Sequence, residues 1–435
     1  MTPPPGAFLG GAKGRLLPAS IPLRFFGAAI AFHVLAWVAL GLGAAHWTQF
    51  RGGLGWPLAA LHLVTLGVLA MTAIGAGSQL LPVATRRPAP GHHLLAAIWW
   101  TFTPGVAAVA LGMGLANTGV LAAGTAAVAI SLAAWCVLMV RNLLGARGMR
   151  GVVAHGWTAI VSLAFVLASA LALVAAWLGW PAPARDTVLG LHVVFAPFGF
   201  MGMLALGLSY ILVPMFALAD APKDRGQLAS CALAVVAIAL AALAAPNVLP
   251  EAALHAAPRL QTGLRLVALA AGTASALLHL RMMFAALRGG MRRELGPSFT
   301  LVRFGWGGLL ASLAVAALLV LDAPLPRLAL LFGLCVIGVW LMSFLFGILQ
   351  RILPFLAAMH GGAGRRARTP SALTHDGALR VHFFGHLGAL GLLGLAIACD
   401  SAWLTLAAAA VGAVGAIAFG VFFVVLLRRM RSPVR

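Results

Sequence analysis

Twelve apolar runs, each long enough to cross a lipid bilayer, follow one another between residues 22 and 427. They cover residues 22–46, 56–83, 93–115, 118–144, 155–180, 187–219, 227–246, 260–287, 299–321, 327–358, 377–399 and 402–427. Only 9% of the residues are charged, against roughly 25% in an average soluble domain, so the chain cannot present a polar surface to water. The runs predict an all-α integral membrane protein of about twelve transmembrane helices, with residues 1–435 forming a single membrane domain.

Basic residues concentrate in every second loop between these runs, which is the asymmetry that the positive-inside rule describes. The net charge of +21 would suit a nucleic-acid-binding protein, but its distribution favours a membrane orientation instead. We therefore expect a multi-pass protein of a bacterial inner membrane, with membrane lipid around it, no nucleic-acid partner and both termini in the cytoplasm. The residues assigned to the cytoplasmic side are Lys13, Arg15, Arg86, Arg87, Arg147, Arg150, Lys223, Arg225, Arg292, Arg293, Arg365, Arg366, Arg368, Arg428 and Arg429.

A short pattern recurs near the end of the second, sixth and tenth runs, where a glycine precedes a proline by seven residues. Glycine and proline are common in membrane helices, so one such pair would carry little information. Three copies, each four spans apart and each followed by a basic loop, favour three four-helix quasi-repeats at residues 1–150, 151–290 and 291–435. The pairs are Gly75 and Pro82, Gly207 and Pro214, and Gly347 and Pro354.

Carboxylates and cysteines exclude some kinds of chemistry. All eight Asp and Glu residues lie in loops or at span ends, which disfavours a carboxylate proton relay and hence a proton-driven carrier. The four cysteines lie within apolar runs, and no CxxC or CxxCH motif occurs. We therefore expect neither disulfides nor covalently attached c-type heme.

Histidine is the ionisable residue that does occur within the spans, and an imidazole in hydrocarbon needs a hydrogen-bond partner, a proton path or a metal. His62 and His192 each lie about five residues into a predicted span that enters from the outside, so both should stand roughly 7 to 8 Å below the outer boundary. Two level imidazoles on different helices can ligate a b-type heme from opposite sides. A structural hydrogen bond between helices is the alternative for each.

Three further histidines are predicted at a common depth in the other leaflet. His279 and His386 each stand about nine residues from the inner end of a span, and His382 lies one helical turn from His386. Three imidazoles at one height could bind copper or zinc. His33, also within an apolar run, is an alternative ligand for the heme.

The stretches PLRFFGAAIAFHVLAWVAL and LHLVTLGVLAMTAIGAGSQLLPV in the first two spans are similar to the NnrS family of heme- and copper-containing membrane proteins linked to nitric oxide resistance. Twelve spans, three quasi-repeats and histidines in the second and sixth spans also resemble the catalytic subunit of heme-copper oxidases and nitric oxide reductases. That resemblance implies heme ligation at His62 and copper ligation at His192. The tenth span lacks the two heme ligands of that group, the seventh lacks its histidine pair, and Tyr210, the only tyrosine, is distant from His192. A complete oxygen-reducing centre is therefore not expected.

Three functional hypotheses follow. The first is a heme-binding, and perhaps copper-binding, membrane protein that transfers electrons or handles nitric oxide, with a redox partner or another membrane subunit. The second is a multi-pass transporter or channel for a small solute or metal ion, in which the glycines permit close helix contact and the prolines break helices at inner gates. The third is a scaffold without chemistry, so whether the chain is an enzyme stays open.

Overall fold

The computed structural model describes residues 17–292, 294–360 and 369–432. Lys13, Arg15, Arg293, Arg365, Arg366 and Arg368, all assigned to the cytoplasmic side, lie outside these residues. Within the described part, the long helices are α1 (Ser20–Leu42), α2 (Trp56–Thr85), α3 (His92–Gly114), α4 (Thr118–Leu143), α5 (Arg150–Trp177), α6 (Arg185–Ala217), α7 (Asp224–Leu243), α8 (Leu260–Gly289), α9 (Gly296–Val320), α10 (Leu328–His360), α11 (Asp376–Cys399) and α12 (Ala402–Arg431). Shorter helical segments occur in some of the connections.

Each of these twelve helices is long and apolar enough to cross a bilayer. They contain 20 to 33 residues, which at about 1.5 Å per residue corresponds to roughly 30 to 50 Å. No strand occurs among residues 17–292, 294–360 and 369–432. The prediction of a helical, multi-pass membrane protein with twelve spans is confirmed.

Several helices extend beyond their apolar runs. The helix α5 begins at Arg150, five residues before the predicted start, and α12 continues four residues past its predicted end, to Arg431. Hydropathy marks the limits of the hydrocarbon, whereas backbone hydrogen bonding continues a helix into the polar interface. The earlier start of α5 places His155 inside a helix, although the sequence placed it near a span end.

The helices α2, α6 and α10 contact one another in the middle of the molecule. Around them, α3 pairs with α4, α7 with α8, and α11 with α12. In their apolar windows, α6 has 83% and α2 has 72% of residues buried, more than any other span. Side chains on these central helices are therefore the ones best placed to form an internal site.

Each of the three central helices contains a π-helical segment, in which hydrogen bonds widen the helix by one residue per turn. The segments are Leu63–Ala70, Phe195–Gly202 and Leu334–Met342. In all three helices the segment ends five residues before the glycine of the repeated pattern. Such segments occur often at functional sites in helical proteins.

The three repeated glycines are points where two helices approach closely. A Cβ atom at Gly207 would lie 2.7 Å from the Cβ of His155 on α5, and one at Gly347 would lie 2.5 Å from the carbonyl oxygen of Ser298 on α9. Gly75 meets Phe25 on α1 in the same way, at 2.9 Å. The prolines that follow lie inside their helices and do not break them.

Candidate functional site

A cavity of about 1120 Å³ lies between the central helices and opens at the end of the molecule that carries the α1–α2 and α9–α10 connections. Most of its lining is apolar, and four histidines contribute to it. The residues at its mouth include Gln49, Arg51, Arg185, Asp322 and Arg327, while Met342, His33 and His386 lie deeper. Pockets for small molecules and cofactors usually have volumes of about 300 to 1,000 Å³, so this one accommodates a large ligand.

His62 lies in the second turn of α2, directly before the π-helical segment, and lines the cavity. Its Nδ1 atom is 3.0 Å from the carbonyl oxygen of Leu58, one turn earlier. A carbonyl oxygen can only accept, so Nδ1 carries the proton and donates it. The lone pair of the neutral ring is then on Nε2, and no group in the described chain hydrogen-bonds to that atom.

His192 lies two turns into α6 and lines the same cavity. Its Nδ1 atom is 3.1 Å from the hydroxyl of Ser169 on α5, and that hydroxyl donates to the carbonyl oxygen of Phe165 at 2.8 Å. The Ser169 proton is thus engaged, so Nδ1 of His192 is the donor of the shared bond and Nε2 holds the lone pair. His62 and His192 are close enough for a charge on one ring to be felt at the other.

The two predicted heme ligands are therefore brought to one cavity from different central helices. In both rings a hydrogen bond at Nδ1 fixes the tautomer and leaves Nε2 as the unpaired electron donor. Metal-binding histidines usually show this pattern, because a bond at one nitrogen orients the ring and the other nitrogen ligates. Chemically, the pair can hold a metal centre or accept hydrogen bonds from a ligand in the cavity.

His33 lies deeper and has a different arrangement. The indole Nε1 of Trp37 donates to its Nε2 at 3.0 Å, so the lone pair of the ring is occupied and the proton is on Nδ1. Nδ1 is buried and has no partner. In this conformation His33 offers no free lone pair, which makes it a poorer heme ligand than His62 or His192.

His382 and His386 lie beside His33, around the ring of Phe346 on α10. The Phe346 ring centroid is 4.5 Å from that of His33, 4.8 Å from His382 and 5.8 Å from His386. Nδ1 of His382 is 3.2 Å from the carbonyl oxygen of Gly415, and Nε2 of His386 is 2.8 Å from the hydroxyl of Ser343. This cluster closes the inner end of the cavity, which His33 and His386 line.

His279 does not join His382 and His386, although the sequence predicted a shared metal site. Its Nδ1 atom is 3.0 Å from the hydroxyl of Tyr210, and the Tyr210 ring also contacts His155, with centroids 5.3 Å apart. The reason is that equal depth does not bring helices together: α8 packs on α7, α6 and α9, whereas α11 packs mainly on α12. Among the described residues, no group of three or more His, Cys, Asp or Glu is arranged to hold a metal ion.

Sequence reasoning missed three residues that shape these clusters. His155 is fully buried beside Tyr210, Ser169 supports His192, and Phe346 separates the rings at the inner end of the cavity. A signal for His155 was present, because Gly207 is the equivalent of Gly75 and a close helix must face it. Ser169 and Phe346 have no comparable signal, since both are ordinary residues of apolar helices.

Polar residues from three connections meet at the mouth of the cavity. Asp400, directly after α11, forms an ion pair with Arg327 and accepts hydrogen bonds from the amide of Gln49 at 2.8 and 3.0 Å. A hydrogen bond from Thr48, followed by the charge of Arg327 and the bond from Gln49, holds the pKa of Asp400 below its ordinary value. These contacts tie the α1–α2, α9–α10 and α11–α12 connections together.

Comparisons with known proteins do not identify this chain. No model of a known protein family matches the sequence, and no curated protein matches it significantly. The resemblance to heme-copper oxidases and to the NnrS family therefore stays a prediction from the residues that carry it.

Proposed function

We propose that this chain is a heme-binding membrane protein of the heme-copper oxidase or NnrS kind, active in electron transfer or in handling nitric oxide rather than in oxygen reduction. His62 and His192 are its axial ligands in this proposal. The observation that carries it is that both imidazoles line one cavity with Nδ1 engaged and Nε2 free. A b-type heme needs two such nitrogens and no covalent attachment.

The residues of the cavity fit a heme in three respects. Its mostly apolar lining suits a porphyrin, and its volume of about 1120 Å³ accommodates one. Arg51, Arg185 and Arg327 line the mouth, where they would pair with the two propionate groups. When bound, the heme would supply a one-electron redox centre, while Leu58 and Ser169 would hold the imidazoles in place.

The architecture in this proposal is three four-helix quasi-repeats, residues 1–150, 151–290 and 291–435, in the manner of the oxidase catalytic subunit. Support comes from the matching positions of the π-helical segments in α2, α6 and α10. The basic loops favour a bacterial inner membrane with both termini in the cytoplasm. The cavity then opens to the outside, where a redox partner could reach it. Copper is left out, because His279 lies apart from His382 and His386.

A transporter or channel for a small solute or metal ion is the second candidate. The cavity opens at one end and closes at His33, His386 and Phe346, as expected of a carrier open to one side. The π-helical segments would then be the irregular parts of the central helices that move. The carboxylates, however, all lie outside the helix interiors, so no proton coupling by them is expected.

A visible spectrum separates the two candidates. We expect the full-length protein, purified from cells supplied with heme precursor, to show a Soret band that shifts on reduction with dithionite. The His62→Ala and His192→Ala variants should lose this band, whereas the His279→Ala control, with its buried imidazole elsewhere, should keep it. A colourless protein that binds no hemin on titration, or an unchanged spectrum in both cavity variants, would refute the proposal; solute uptake into liposomes by such a protein would favour a transporter.

A further inference from the structure

A second, shallower depression of about 610 Å³ lies on the outside of the helix bundle, between α8 and α9. It is lined by three arginines and two apolar side chains: Arg281, Arg288, Arg303, Phe284 and Leu287. It is distant in the fold from the central cavity and shares no lining residue with it. The arginine groove, as we call these five residues, has no part in the proposed heme site.

Two of its arginines stand at matching depth on neighbouring helices. Arg281 is eight residues before the end of α8, and Arg303 is seven residues after the start of α9. Both Cα atoms are therefore roughly 11 to 12 Å from the helix ends that the α8–α9 connection joins. Long arginine side chains at this depth reach the level of lipid headgroups.

The charges of this groove are not neutralised by the protein. Arg281 and Arg303 are exposed, and neither forms an ion pair with any carboxylate of the described chain. A single exposed arginine near a helix end is ordinary snorkelling. Two unpaired guanidinium groups facing one depression, with Arg288 on its rim, form a site whose charge calls for an anion.

An apolar surface adjoins the arginines. The side chain of Phe284 is 39% exposed, and its ring packs edge-on against that of Trp306, with centroids 5.3 Å apart. Phe304, next to Arg303, is 40% exposed. A ligand held here would meet cations at its polar end and aromatic rings beside its apolar part.

From this arrangement we propose that the arginine groove binds the headgroup of an anionic phospholipid, and preferentially one with two phosphates, such as cardiolipin. Phosphate accepts bidentate hydrogen bonds from guanidinium groups, and basic pockets between transmembrane helices on the basic side recognise such headgroups. The exposed rings of Phe284 and Phe304 contact the first part of the acyl chains. Arg281 and Arg303 are the binding residues.

Titration of the full-length protein in mild detergent with tetraoleoyl cardiolipin, read by native mass spectrometry, tests this site. Each basic group near a membrane surface contributes about fivefold to anionic lipid binding, so the Arg281→Gln/Arg303→Gln variant should bind about thirtyfold more weakly than wild type. The Arg281→Lys/Arg303→Lys variant keeps the charges and should retain most of the affinity. Arg141→Gln, which removes an exposed arginine from the last turn of α4, is the matched control and should bind like wild type.

Three results would overturn the proposal. Equal binding by the double glutamine variant would show that the groove does not hold the lipid. An equal loss in Arg141→Gln would show that only the general surface charge matters. Competition by millimolar inorganic phosphate, or equally tight binding of phosphatidylcholine, would show that an anionic phospholipid is not the ligand. None of these outcomes depends on heme.

Discussion

Substitution of Gly347 by alanine tests the packing of the central helices. The added Cβ would lie 2.5 Å from the carbonyl oxygen of Ser298 and 2.7 Å from a methyl carbon of Val302, both on α9. Carbon and carbonyl oxygen approach no closer than about 3.3 Å without repulsion, so α9 would have to shift by roughly 0.8 Å. The nearest obstacle is a backbone atom, which no change of rotamer can remove.

Two opposing energies decide the size of the effect. Alanine favours the helical state over glycine by up to about 1 kcal/mol, whereas overpacking of a well-filled interior costs about 1 to 3 kcal/mol. Because the clash at Gly347 involves backbone, we expect the cost to be near the upper end, so that the variant loses about 2 kcal/mol of unfolding free energy. Gly207→Ala, which meets the Cβ of His155 at 2.7 Å, should behave similarly.

Unfolding of the purified protein in mild detergent by increasing SDS, followed by circular dichroism, measures this loss. Gly391→Ala is the matched control, since a Cβ at that exposed position on α11 meets nothing within 4 Å. The control should be as stable as wild type or more stable. If Gly347→Ala and Gly391→Ala unfold at the same SDS fraction, the close approach of α9 and α10 is not present in the protein.

Two further predictions concern the cavity. Ser169→Ala removes the acceptor of the His192 Nδ1 proton, so hemin titration should give a dissociation constant about 10- to 100-fold larger, while the buried-serine control Ser312→Ala should bind normally. Asp400 has a lowered pKa in the folded protein, so its ionised form stabilises the fold above its ordinary pKa of about 3.9, and this contribution is lost as the pH falls toward the lowered value. Melting temperatures of wild type and Asp400→Asn should therefore converge between about pH 5 and pH 3; a constant difference would contradict the role of the ion pair with Arg327.

Much of the fold could be predicted because the bilayer itself sets the length of each span. The shared height of His62 and His192 was also accessible, since position along a helix translates directly into depth. That both rings line one cavity was a prediction from this height, and the central position of α2 and α6 explains why it was right. The supporting hydrogen bond from His192 to Ser169 joins different helices and had no sequence signal.

The predicted metal site shows where this reasoning ends. His279, His382 and His386 stand at similar depth, yet His279 bonds to Tyr210 while the other two surround Phe346. Depth fixes one coordinate of a residue, whereas the rotation of each helix and its neighbours fix the other two. The weak moment of nearly uniform apolar helices gives no indication of those two coordinates.

The sequence alone determined that this chain crosses the membrane twelve times, because no other structure satisfies backbone hydrogen bonds in hydrocarbon for so many apolar runs. It also determined the glycines at which the central helices can approach their neighbours. Only the tertiary structure decided which imidazoles share a cavity, which nitrogen of each ring is free and which arginines face a common groove. Those features depend on contacts between residues far apart in the chain, and in an apolar solvent helix packing is set by side-chain shape rather than by hydrophobic pattern.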